Sequence, residues 1–234
     1  NLRRGGQGAG DGHPLLLAAG ELRRHLLRFF FRLSVMLVAL SGYFKNRAAL
    51  DFTARYSVLS PVNILWVILA ASFALQLSPR SRVSRGCLKQ FPGTFDRVET
   101  VVDDFFLRTK LKKLDLGATR VAIIWAIPNL IFAALYYKGI FGVPEMLLFT
   151  VLYYLCDVIC IVFYCPFQKL FMKNKCCVTC RIFAWGTIMT VTPLIFVPSV
   201  YSWSLVALAL VCTAAWEVTY HRHPERFCEE TNAF

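Results

Sequence analysis

The sequence predicts an all-α protein, a polytopic integral membrane bundle of about six transmembrane helices plus one amphipathic helix at the bilayer surface. Three observations predict it. Hydrophobic residues make up 57% of the 234 and charged residues only 17%, with a mean hydropathy of +0.53, whereas a soluble domain carries about 45–50% apolar and roughly 25% charged residues. The apolar residues fall in runs near the 20 or so that one helix needs to cross hydrocarbon. The cations, which give a formal net charge of +12, lie in short patches between those runs, as basic loops facing an anionic leaflet do.

Residues 1–24 are rich in Gly and Arg and read as a flexible basic tail. No small-residue cleavage site follows an apolar run there in the manner of a signal peptide. The bundle is expected over 25–220. Its first span, 26–44, carries Arg28 and Arg32 in its opening turns, where long side chains can snorkel toward one interface; a helix lying along that interface is the alternative. Runs at 57–77, 118–137 and 146–165 follow. The last apolar block is too long for one crossing, and Pro193, Pro198 and the polar stretch after them divide it into 182–198 and 201–220. Segment 95–116 sets Val98, Val101, Val102, Phe105 and Phe106 at helical spacing among Asp103, Asp104, Arg108, Lys110, Lys112 and Lys113, so an interfacial helix is expected there. Residues 221–234 form a C-terminal tail.

Six crossings put most cations on one side. These are Arg3, Arg4, Arg23 and Arg24, the nine of 79–117, then Lys169, Lys173, Lys175 and Arg181, and finally Arg222 and Arg226. The other side holds only Lys45, Arg47, Arg55 and Lys138. The positive-inside bias therefore predicts a multi-pass protein with both termini in the cytoplasm. An anionic inner leaflet is the expected partner, with a protein partner or a second copy beside it. Nucleic acid is not expected, because the charge is dispersed between membrane runs.

Four of the nine cysteines, Cys165, Cys176, Cys177 and Cys180, share one short connection with Lys169, Lys173, Lys175 and Arg181. Thiolates are soft-metal ligands and redox nucleophiles, and neighbouring cations favour the thiolate form. Cys177 and Cys180 have the C-x2-C spacing that brings two sulfurs to one tetrahedral ion. The expected topology brings His221, His223 and Cys228 to the same face. Zinc, Cu(I) or an iron–sulfur centre then fits a site of Cys176, Cys177 and Cys180, completed by Cys165, His221, His223 or Cys228. Redox thiols, lipidation or plain packing are the other readings of the same cysteines.

A second set of polar residues lies inside the fourth span. Tyr153, Asp157, Cys160 and Tyr164 step by four, three and four, so they share one helical stripe, with Cys156 alongside. A carboxylate at that depth needs a partner. Asp157 sits about 12 Å from the inner end of its span and Arg32 about 10 Å from the inner end of the first, at 1.5 Å per residue. Equal depth predicts that they pair, with Arg120 as the runner-up. The five tryptophans read as interfacial anchors.

No Gly-rich phosphate loop, G-x-S-x-G elbow or H-E-x-x-H is present, so nucleotide-driven transport, serine hydrolysis and zinc proteolysis of that type lack their parts. No catalytic residue is assigned. The leading expectation is a cytoplasmic-face cysteine-rich site for soft-metal binding or thiol redox chemistry, in metal handling or transport. Its rivals are a non-catalytic accessory or assembly subunit that binds anionic lipid or a partner protein, and a small proton or cation channel or carrier built on the Asp157 stripe.

Overall fold

A computed structural model describes residues 14–52, 60–78, 104–173 and 180–228, and all regular structure among them is helical. Six α-helices follow one another: α1 (Pro14–Lys45), α2 (Pro61–Leu77), α3 (Asp104–Tyr137), α4 (Val143–Val162), the short α5 (Gly186–Val191) and α6 (Val200–Arg222). Four stretches are long and apolar enough to cross a membrane: Leu22–Lys45, Phe105–Tyr137, Val143–Val162 and Val200–Arg222. The expectation of six crossings is not met by length and composition alone.

The differences have local causes. α2 holds 17 residues, about 25 Å of helix at 1.5 Å per residue. It starts where Ser60 accepts a hydrogen bond from the Asn63 amide at 3.3 Å and Pro61 takes a first-turn position, where its missing N–H costs nothing. The expected span 182–198 is a shorter apolar helical run, Phe183–Phe196, of changing pitch. A 3-10 turn (Phe183–Trp185), α5 and a second 3-10 turn (Thr192–Phe196) succeed one another. Pro193 opens the last of these, and proline both fixes φ and removes an amide donor.

The interfacial helix expected over 95–116 is also redrawn. Its described part, from Asp104, continues without a break into the third span, so α3 runs for 34 residues. Residues 95–103 lie outside the described residues. Gly117 is not a boundary within α3 but a point of close approach. A Cβ there would stand 3.0 Å from the Met172 sulfur and 3.2 Å from the Phe171 carbonyl oxygen.

Cross-helix contacts fix the directions. Phe132 stacks on Phe149 at 4.2 Å and Trp125 meets Tyr153 at 4.4 Å, so α3 and α4 are antiparallel. Tyr43, near the end of α1, donates to Glu145 at 2.6 Å, while Arg47 reaches the same oxygen at 2.7 Å and the Gly142 amide caps the other at 2.7 Å. α1 therefore runs against α4. Between α2 and α6, Tyr201 donates to Asn63 at 2.5 Å and Trp66 to Ser204 at 2.9 Å. Ser72 bonds Tyr154 at 2.7 Å. Such interhelical bonds are worth about 0.6 kcal/mol each inside a membrane, where apolar burial no longer drives association.

The main core joins α1, α2, α4, α5 and α6 around Leu69, Met146, Val151, Val191, Val197 and Ala209, all without exposure. Ile123, Ile127, Leu130 and Ile131 leave the outer side of α3 apolar and exposed, as a lipid-facing surface requires.

Candidate functional site

The chain changes direction at the end of α4, and that change builds the site. Pro166 disfavours helical geometry at Cys165, and α4 ends at Val162. A π-helical turn, Gln168–Met172, follows and closes on Lys173 in the left-handed region at φ 52°. The turn packs against the start of the apolar part of α3 through Phe171 and Met172.

Asp157 occupies the wall between α1, α4 and α5. Arg32 binds its Oδ2 at 2.6 Å and the Tyr154 carbonyl oxygen at 2.7 Å. The guanidinium also lies 4.0 Å over the Tyr154 ring. Both side chains are largely buried, at 13% and 24% exposure. The depth match read from the sequence is therefore realised as an ion pair, and Arg120 is exposed elsewhere. On the far side, the carboxylate lies against Gly186, where a Cβ would collide with Oδ1.

Beside this pair is a cavity of about 90 Å³ lined by Cys156, Asp157, Cys160, Cys165, Gln168 and Cys180, with Trp125, Tyr153, Phe167 and Phe183 among the remaining residues. Its thiols come from three parts of the chain: α4, the turn after it and the segment leading into α5. Cys160 hydrogen-bonds Cys165. The Phe167 and Gln168 amides point at the same Cys165 sulfur, and together these donors outweigh burial and hold the thiol below its ordinary value. The described cysteines, including Cys160, Cys165 and Cys180, form no disulfide.

The expected cysteine–histidine site falls partly outside the described residues. Cys176, Cys177 and Lys175 lie outside the described residues. Cys180 is buried against Ala118, Val121, Met172 and Ile182. His223 faces Glu225 at 3.2 Å, His221 packs edge-on to Tyr220, and Cys228 is buried at the chain's described end. Among the described residues no three His, Cys, Asp or Glu side chains converge in a way that could hold a metal ion.

Arg181, expected to hold thiolates, is engaged otherwise. It grips Glu217 with two bonds of 2.7 and 2.5 Å, reaches Asp115 at 3.4 Å and lies 3.8 Å over Tyr220. Trp185 donates to Glu217 at 2.7 Å, Trp216 to the Arg181 carbonyl at 2.8 Å, and Tyr220 to Asp115 at 3.0 Å. This network ties the floor of the cavity to α3 and α6.

The stripe along α4 is shortened. Tyr153, Asp157 and Cys160 line the cavity, but Tyr164 falls beyond the helix and is 51% exposed. The tryptophans differ in their surroundings: Trp216 is fully buried, Trp66 and Trp185 are hydrogen-bonded and partly buried, Trp125 walls the cavity, and Trp203 is exposed. Gly186 and Thr190 join the site from a segment whose sequence reads only as an apolar span, and Gln168 from the cysteine-rich connection. Glu145 shows one in retrospect, a carboxylate three residues after Gly142 at a helix start. No protein-family model, curated protein or solved structure matches this chain.

Proposed function

We propose that this multi-pass membrane protein carries out thiol–disulfide exchange at the basic end of its bundle, with Cys165 as the attacking thiolate and Cys160 as its resolving partner. The observation that carries the reading is that Cys160, near the end of α4, and Cys165, in the turn after it, line one cavity, with Cys160 the first cause of the lowered Cys165 thiol. Two thiols so placed form a dithiol couple, and a thiolate near neutral pH is the attacking species in exchange.

The step balances with a disulfide substrate. Cys165 sulfur attacks one sulfur of the substrate and expels the other as a thiolate, leaving a mixed disulfide. Cys160 sulfur, losing its proton to water, then attacks Cys165 and releases the second substrate thiolate. The chain ends oxidised by two electrons and the substrate reduced by two. Arg32 and Asp157 hold α4 in register beside the pair without taking part in electron transfer.

The test uses the full chain in lipid nanodiscs, equilibrated with glutathione and its disulfide across a range of ratios, acid-trapped and mapped by mass spectrometry. A reversible Cys160–Cys165 linkage that titrates with the ratio supports the reading. Thiols that remain alkylatable under every ratio, or linkages that bypass this pair, overturn it.

A second reading has its own observation. α3 begins with Phe105 at 77% and Phe106 at 42% exposure, followed by exposed Arg108, Lys112 and Lys113. A helix end with exposed aromatics and cations is suited to an anionic bilayer surface. Salt-sensitive binding to phosphatidylserine vesicles, weakened by Lys112→Ala with Lys113→Ala, tests that attachment role.

A further inference from the structure

We infer that the cavity beside Cys160 and Cys165 binds a quinone, a neutral, membrane-soluble two-electron carrier, and passes electrons between it and the thiol pair. The inference rests on the disulfide-forming pair proposed above and adds the identity of its second redox partner.

The lining decides the class of ligand. Trp125, Tyr153, Phe167 and Phe183 present aromatic surfaces, and Ile161, Ile182 and Met189 fill between them. Trp125 lies 4.4 Å from the Tyr153 ring and 6.0 Å from Phe167, the latter edge to face, leaving a frame in which a flat ring meets π-faces and edges. Among the described residues, no Lys or Arg lines the cavity. A nicotinamide or flavin dinucleotide brings phosphates that call for cationic or amide clamps, so a carrier without charge fits this wall and a dinucleotide does not.

Access points the same way. The cavity, of about 90 Å³, is partly open to its surroundings. Cys156 belongs both to the lining and to the exposed surface of α4. A ring seated inside can therefore trail an apolar chain past Cys156 toward lipid. The Gln168 side-chain amide belongs to the lining, suited to a carbonyl oxygen in a largely apolar site.

The reaction closes without another reagent. The Cys160 thiol and the Cys165 thiolate together give two electrons to the quinone. Sulfur joins sulfur, the Cys160 proton and one from water form the two O–H bonds, and hydroquinone leaves. Run backward, hydroquinone reduces the disulfide. Relative potentials set the direction.

The test follows anaerobic mixing of the reduced full chain, in nanodiscs, with decylubiquinone. The expected result is reduction of about one quinone per chain as the Cys160–Cys165 linkage appears, with quenching of tryptophan fluorescence on binding. Cys160→Ser is expected to bind decylubiquinone with the same quenching but not to reduce it. Trp125→Leu is expected to bind about tenfold more weakly; should it fail to fold, Thr190→Ile, which fills the cavity from another side, replaces it with the same expectation. If the wild-type pair oxidises with glutathione disulfide yet neither binds nor reduces decylubiquinone, the quinone inference falls and the exchange reading stands. If the linkage forms with neither oxidant, both fall.

Discussion

Gly186 lies bare against the carboxylate of Asp157, whose other oxygen is held by Arg32. The close approach couples α5 to the α1–α4 ion pair, because any side chain at 186 has to displace a charge that is already fixed. Gly186→Ala is therefore expected to destabilise the fold by about 1–3 kcal/mol, the range for overpacking. Asp157→Ala should remove the collision, so the double variant should cost less than the sum of the singles. Thermal unfolding of the detergent-solubilised chain measures all three; strict additivity would show that 186 and 157 do not meet.

The Arg32–Asp157 pair makes a prediction of its own. Asp157→Asn leaves a guanidinium in a largely buried position with the Tyr154 carbonyl and ring but without its counter-charge. Removing one member of a buried pair costs about 3–5 kcal/mol, and the residual exposure of these two side chains brings the expectation to the low end. Arg32→Gln in the same chain should restore part of the loss, since a neutral pair carries no unpaired charge. Chemical denaturation of the four species reads the coupling. No recovery in the double variant would mean that each residue acts alone.

What the sequence discloses here follows from which signals are local. Arg32 and Asp157 stand out because an ionised group in an apolar run is costly at any register, and equal depth then selects the partner. α4 and α6 are legible as apolar runs near the length of one crossing. The merger of 104–116 with the third span is not, because Gly117 and the change from amphipathic to apolar pattern mimic a boundary, whereas in space the glycine makes room for Met172, 55 positions away. Arg181 misleads in the same way. Beside cysteines in sequence, it turns to Glu217 in space, and only the tertiary arrangement says so. The Cys160–Cys165 neighbour relation lies between these cases: Cys160 reads as part of a stripe and Cys165 as part of a loop, and Pro166 is the local signal that joins them.

Arg181 is expected to be a structural cation rather than an activator of thiols. It is buried at 6% side-chain exposure with a two-bond grip on Glu217, so Arg181→Met should cost about 3–5 kcal/mol through the carboxylate left behind. Arg181→Lys keeps the charge but loses the fork geometry, and should fall between wild type and Met. Arg181→Met with Glu217→Leu should recover most of the stability, because replacing both partners removes the stranded charge. Melting temperatures in one detergent give the order; a double variant as unstable as Arg181→Met would contradict it.

The last prediction concerns acidity at Cys165. Hydrogen bonds from Cys160 and from two backbone amides hold its thiol below the ordinary value, so near neutral pH the native chain holds more thiolate than an ordinary thiol, near 8.5, does. The sign follows from which form the fold prefers. Stability from this group is full above the unfolded value and is lost as pH falls through the lowered native value, by linkage between proton binding and folding. Alkylation should follow the same curve. With iodoacetamide, the Cys165 rate should level off at a lower pH than that of an ordinary thiol and drop about tenfold per unit once pH is well below the native value, as thiolate fraction dictates. Cys160→Ala removes the first donor and should move the whole profile upward. Residue-resolved mass spectrometry of alkylated chain, with buried Cys212 as the unreactive internal comparison, measures the profile; a Cys165 rate still climbing steeply between pH 7 and 9 would place its proton where an isolated thiol keeps it.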